Sequence, residues 1–262
     1  MQPLGLVASR LAASLFFRRA AIEYFEKSAS VAQAQGDDEG QSQAWSFLGS
    51  LYNDDEDWDR ASRFYEMALQ ALKGNKRSPH TCSILINLGQ ASSRLGDISK
   101  AEHCYSEALD LLDDDDHSGR ADVLYCLGEL FQTRGDLAGA EECYQKSLFE
   151  REKARDQEGM AASLAALASV YQLTGAANKV ESCLEKARHH LQEKGDEIGA
   201  ARMRLQLADF FFLEGMHKEA VDHYEKSMPA LEEGDSILAA QAHSRMGQCF
   251  LDLGDYALAD DH

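Results

Sequence analysis

Apolar residues in this chain fall in bursts at helical spacing, and the bursts come in pairs. Between Ala121 and Ala154, residues Val123, Leu124, Leu127, Leu130 and Phe131 approach the i, i+3, i+4, i+7 stripe of an amphipathic helix. Gly135-Asp136 then breaks the stripe, as a glycine does just past a helix C-terminus. Leu137, Ala140, Cys143, Tyr144 and Leu148 resume it. The pattern predicts a helix A, a tight turn and a helix B. It recurs along the chain. A small residue marks each helix A at Gly49, Gly89, Gly128, Ala168, Ala208 and Gly247, at intervals of 39 or 40 residues. A second glycine follows seven residues later in five copies: Gly96, Gly135, Gly175, Gly215 and Gly254. A fixed period of about 20–50 residues signals stacked helical or strand units. The predicted fold is therefore an all-α solenoid of helix-turn-helix repeats.

Smallness is what the marker position requires, because alanine replaces glycine there in two copies. It is read as the point where helix A passes closest to helix B. Other positions keep the same phase. Twelve residues after each marker stand Ala61, Ala101, Ala140, Val180, Ala220 and Ala259. Sixteen after come Tyr65, Tyr105, Tyr144, Leu184 and Tyr224, and nineteen after come Ala68, Ala108, Ser147, Ala187 and Ser227. This small–large–small run on helix B, with Leu48-Gly49, Tyr52, Ala61, Tyr65 and Ala68 in the first full copy, resembles the tetratricopeptide repeat. The resemblance spans about residues 17–262. It implies a right-handed superhelical solenoid that serves as a scaffold for other proteins and not as an enzyme.

Two departures narrow the resemblance. The period exceeds the usual ~34 residues, and the usual proline after helix B is missing. A second signature fills the added length: Gly36-Asp37 with Gly40, Asp116 with Gly119, Asp156 with Gly159, and Gly195-Asp196 with Gly199. Each aspartate is placed to cap the next helix A and extend it by roughly one to two turns. This long form is similar to the repeats of Pins-type spindle-orientation adaptors. The Ala101-Glu102 and Ala140-Glu141 openings of helix B are similar to kinesin light chain.

The phasing divides the chain into a degenerate N-terminal helix or cap at 1–16, helix B of a partial leading repeat at 17–39, five full repeats at 40–239 and an incomplete sixth repeat at 240–262. The sixth stops one residue short of its aromatic position. A solenoid needs a polar cap at each end, so the chain is expected to be a fragment of a longer protein, or to have that end covered by a partner.

Composition excludes several functions. A formal net charge of −19 opposes nucleic acid and anionic membrane surfaces as partners. No run of about 18 apolar residues offers a membrane span. Six cysteines lack any CxxC pairing, and Cys104, Cys143 and Cys183 share one repeat position, fifteen after the marker. That phasing reads as small buried packing sites in a reducing compartment, hence a cytoplasmic protein without a disulfide framework. The apolar, arginine-bearing start, with Arg10, Arg18 and Arg19 ahead of any acid, leaves a mitochondrial presequence as the alternative.

Nothing in the sequence organises catalysis or a cofactor. There is no HExxH, no zinc-finger spacing and no phosphate-binding glycine loop. His103-Cys104 points two ligands about 100° apart on a helix. Asp114, Asp116 and Ser118 mimic the start of a calcium loop, but Tyr125 stands where the bidentate glutamate belongs. His223 takes the cysteine position of its repeat and reads as a packed core histidine.

In a helix-pair solenoid the A helices line the concave side, and residues three before, one after and four after each marker face inward. The candidate partner-binding residues are Asn53, Gln90, Tyr125, Glu129, Gln132, Gln172, Asp209, Phe212 and Gln248. Tyr125 and Phe212 are the large anchors; of Phe210, Phe211 and Phe212, three successive residues cannot all face one core. Such a groove suits a peptide or helix, and Glu129 and Asp209 favour a ligand with basic residues. The lysine, arginine and asparagine clamp by which related cofactors hold a heat-shock chaperone carboxylate is replaced here by Ser46, Ser50, Asp122 and Cys126, so that partner is excluded. The expected function is a non-enzymatic adaptor. A structural subunit docking by its ends or convex face, and a regulatory domain of a longer protein, are the alternatives.

Overall fold

A computed structural model describes the backbone of residues 4–72 and 80–254 and the side chains from Phe17 onward. Among the described residues there are twelve helices and no strand. Two compact units divide the chain, Met1–Asp115 and Asp116–His262. The first contains α1 (Leu4–Gln35), α2 (Asp38–Asp54), α3 (Trp58–Ala71), α4 (Thr81–Arg94) and α5 (Ile98–Leu111). The second contains α6 (His117–Arg134), α7 (Leu137–Ala154), α8 (Gln157–Thr174), α9 (Ala177–Lys194), α10 (Glu197–Leu213), α11 (His217–Gly234) and α12 (Ser236–Leu253). In each unit consecutive helices pack on one another, and an A helix touches its own B helix most extensively. The architecture is an all-α helical repeat solenoid. Ala259 and the last helix B lie outside the described residues, as do the side chains of 1–16. The helix α1 runs without a break across residues 16 and 17, because no Gly-Asp turn interrupts it.

The markers set the A–B contact. A Cβ added to Gly49, Gly89 or Gly128 would sit 2.6 Å from the ring of Tyr65, Tyr105 or Tyr144 respectively. Each tyrosine is buried, its ring packed against the marker of helix A. The ring contributes burial worth several kcal/mol on the scale of aromatic truncations, about 3–5, and the missing Cβ is what admits it.

Local chemistry ends and starts the helices. Gly135 takes φ +82° after α6, the left-handed conformation that costs glycine least. The first full copy has Glu56 at this position, and it is forced to φ +60° by the same turn. Asp37, Asp116, Asp156 and Asp196 each cap the next helix A through the backbone N–H of Gly40, Gly119, Gly159 and Gly199, at 2.9, 2.9, 3.0 and 2.8 Å. The capped helices α2, α6, α8 and α10 run 17 or 18 residues, whereas α4, which has no side-chain cap, runs 14. Asp116 is thus a helix cap. Among the described residues no three His, Cys, Asp or Glu side chains are grouped to hold a metal ion.

Cys104, Cys143 and Cys183 are buried and unbridged. Burial pushes the Cys104 thiol up to about 11, away from the thiolate that reacts. No helix among the described residues is long and apolar enough to cross a membrane.

Candidate functional site

Helices α6, α8, α10 and α12 of the second unit each carry sequence-predicted groove residues. Tyr125, Glu129 and Gln132 on α6 line one depression together with Ser169 and Leu173 of α8. Gln172 of α8 and Asp209 of α10 line an adjoining one of about 320 Å³, and Ser169 belongs to both. Hydrogen bonds tie the two together. The Tyr144 hydroxyl donates to Gln132 Oε1 at 3.0 Å, and Gln132 Nε2 donates to Ser169 Oγ at 3.0 Å. Gln132 is therefore held as a bridge from α6 to α8.

Tyr125 is half-buried, its ring 5.4 Å from that of Tyr144. The Arg151 guanidinium stands 5.6 Å over its face, a cation–π distance. Burial raises the Tyr125 phenol above its ordinary pKa, Glu129 adds to that, and Arg151 opposes it. Asp209 is engaged twice: its Oδ1 accepts from the Tyr224 hydroxyl at 2.5 Å and lies 3.4 Å from Arg245 Nε. Arg245 also approaches the Phe212 ring at 5.9 Å. Phe210 and Phe211 are buried and Phe212 is half-exposed, edge-on to His217 at 5.7 Å.

The remaining predicted residues, Phe212 among them, are not part of the lining of either depression. Gln248 on α12 is exposed and donates to Asp252 at 3.0 Å. Asn53 of α2 is half-buried and Gln90 of α4 exposed, both in the first unit. Leu205, three residues before its marker, is buried and adds no surface.

Several site residues escaped the sequence reading. Leu173 and Leu213 each stand five residues after a marker and are 61% and 65% exposed at the rims of the two depressions. Their shared register was the available signal. Arg151 was missed as well. It occupies the position of Leu72, Leu112, Leu191 and Leu231 in other copies and is only 9% exposed. Its guanidinium reaches Asp156 at 3.0 Å and Asp122 at 3.1 Å, and its Nε donates to Ser147 at 3.3 Å. Burial raises the Asp122 carboxyl above its ordinary pKa, and Arg151 pulls it back.

His223 packs its ring 5.2 Å from Phe211, and its Nδ1 is buried without a hydrogen-bond partner. Burial holds its pKa below the ordinary 6.5, with Asp222 and Glu185 opposing. The unfolded chain takes up this proton first as pH falls, so the residue's contribution to stability is intact above 6.5 and is lost on acidification. His223→Cys, which installs the residue of three other copies, should lose less Tm than the wild type from about pH 7.5 to about pH 5.5. Paired thermal melts check this.

The geometry defines a class: stacked helix pairs that display one face of their A helices, a form generally used to bind other proteins and generally non-catalytic. The tetratricopeptide repeat model matches residues 40–114 and 199–262, more than half of the chain, and the chain belongs to the tetratricopeptide repeat family. No curated protein matches the sequence. Solved structures share the fold at low identity. BtubC from P. vanneervenii is 17% identical, with a TM-score of 0.61 over 93% of this chain and 87% of that one. The tetratricopeptide repeat sensor protein of the signal transduction ATPase class from Pyrococcus horikoshii is 15% identical, with a TM-score of 0.74 over 90% of this chain, which spans 37% of that protein. A kinesin light chain-like repeat protein from Podosopora anserina is 17% identical, with a TM-score of 0.62 over 73% of this chain and 94% of that one.

Proposed function

We propose that the chain is a non-enzymatic adaptor that holds a peptide or helix of another protein against α6, α8, α10 and α12. The observation that carries the reading is the pair of adjoining depressions joined at Ser169. They offer what a recognition groove needs: apolar anchors at Tyr125, Leu173 and Leu213, beside polar groups already held in place by Gln132 and Tyr224. Pre-held polar groups lose little freedom on binding, which preserves affinity. Glu129 and the acidic surface favour a ligand with basic residues.

A second reading has its own observation. Phe17, Tyr24 and Val31 recur every seven residues on α1 and are all exposed. That stripe fits a structural subunit that docks through its first helix.

Affinity capture from native extract separates the two. Tyr125→Ala/Glu129→Lys/Phe212→Ala should lose a defined set of partners by about tenfold or more while keeping the wild-type circular dichroism. Partners unchanged by the triple variant and lost with Tyr24→Asp would transfer the function to the α1 stripe.

A further inference from the structure

One repeat departs from the others at the depression beside Gln172 and Asp209. In three copies the helix B tyrosine crosses its marker and delivers a hydroxyl to the groove side. Tyr65 reaches Ser50 at 3.3 Å, Tyr144 reaches Gln132 at 3.0 Å and Tyr224 reaches Asp209 at 2.5 Å. The fourth copy has Leu184 in that place, over Ala168. Leucine is shorter than tyrosine and has no hydroxyl, so it neither fills the space nor offers a donor. The space is open there. The depression of about 320 Å³ has an apolar floor of Leu184, Ala168, Val180, Ala165 and Phe210. Its rim is mostly polar, with Ser169, Gln172, Gln206, Asp209 and Arg245 beside the exposed Leu213.

Resting on the groove reading above, we infer that this depression is an anchor pocket for one bulky apolar side chain of the bound peptide, and that the same peptide carries a lysine or arginine directed at Glu129. The volume sits at the low end of the ~300–1,000 Å³ of small-ligand sites, which suits a side chain better than a cofactor. An apolar floor inside a polar rim is the anatomy of an interface hot spot. The charge follows from the neighbouring depression, whose one charged lining residue is Glu129. On the pocket's own rim, Asp209 and Arg245 form an ion pair.

The test uses short random peptides displayed on phage, selected against the full chain, then measured singly by fluorescence anisotropy. Selected peptides should share a bulky apolar residue and a basic one. Ala168→Gly/Leu184→Tyr rebuilds the pairing of Gly128 with Tyr144 and should close the pocket while preserving helicity. It should weaken those peptides by about tenfold or more. Trimming the peptide's apolar residue to alanine should cost a similar factor in the wild type and little further in the double variant. Gln206→Trp plugs the mouth from an exposed position and should weaken binding even if the double variant folds poorly. Peptides that bind both variants as tightly as the wild type, yet are lost with the triple groove variant, would overturn the pocket and leave the groove standing. Selected peptides indifferent to every one of these variants would overturn the groove reading itself.

Discussion

Arg151→Ala should lower the stability of the second unit by about 2–5 kcal/mol, the range of large buried truncations. Arg151→Leu should leave it within about 1 kcal/mol of the wild type, or raise it. The contrast follows from the position. Four other copies carry leucine there, so the site is built for an apolar side chain of that reach, and the arginine stem fills it in the third copy. Alanine leaves that volume empty. The guanidinium is buried, but its partners Asp122 and Asp156 have side chains 60% and 39% exposed and can return to water when it goes. Replacing a buried ion pair by a well-packed hydrophobe is often neutral or stabilising. Urea denaturation followed by circular dichroism reads the difference. If the leucine variant falls as far as the alanine variant, the ion network and not the packing carries the site.

The second large effect lies at the marker. Gly128→Val should cost about 3 kcal/mol or more, because its branched side chain meets the buried Tyr144 ring that even a bare Cβ would approach to 2.6 Å. Gly128→Ala should cost about 1–3 kcal/mol, less up to about 1 kcal/mol of helix propensity regained. Gly128→Ala/Tyr144→Leu reproduces the Ala168–Leu184 pairing of the fourth copy. It should be more stable than the sum of the two single losses predicts, with a coupling of about 1 kcal/mol or more. Additive losses in that cycle would contradict a direct glycine–tyrosine contact. The fifth copy pairs Ala208 with Tyr224, so one methyl group is accommodated at this position, which keeps the alanine cost moderate.

The repeat was legible because it is written many times. A single glycine says little, but Gly49, Gly89 and Gly128 in phase with Tyr65, Tyr105 and Tyr144 specify a helix pair and its contact. The helix caps at Asp37, Asp116, Asp156 and Asp196 were legible for the same reason, since a cap acts through residues three apart. The site was only partly legible. Its surface depends on departures from the repeat, and a pattern read for regularity passes over them. Leu184 stood in the tyrosine series as an exception without a consequence; only the open space over Ala168 gives it one. Arg151 stood in a leucine register. Arg245 meets Asp209 from a helix 36 residues away in sequence, a pairing that no local pattern encodes.

Site-specific photo-crosslinking tests the central claim most directly. A benzophenone side chain placed at Gln172, in the groove, or at Lys186, exposed on α9, is illuminated with the partners captured from native extract. The account predicts discrete adducts from position 172 that diminish in the Ala168→Gly/Leu184→Tyr background, and none from 186. Adducts from 186 with none from 172 would contradict it and place the partner on the helix B side.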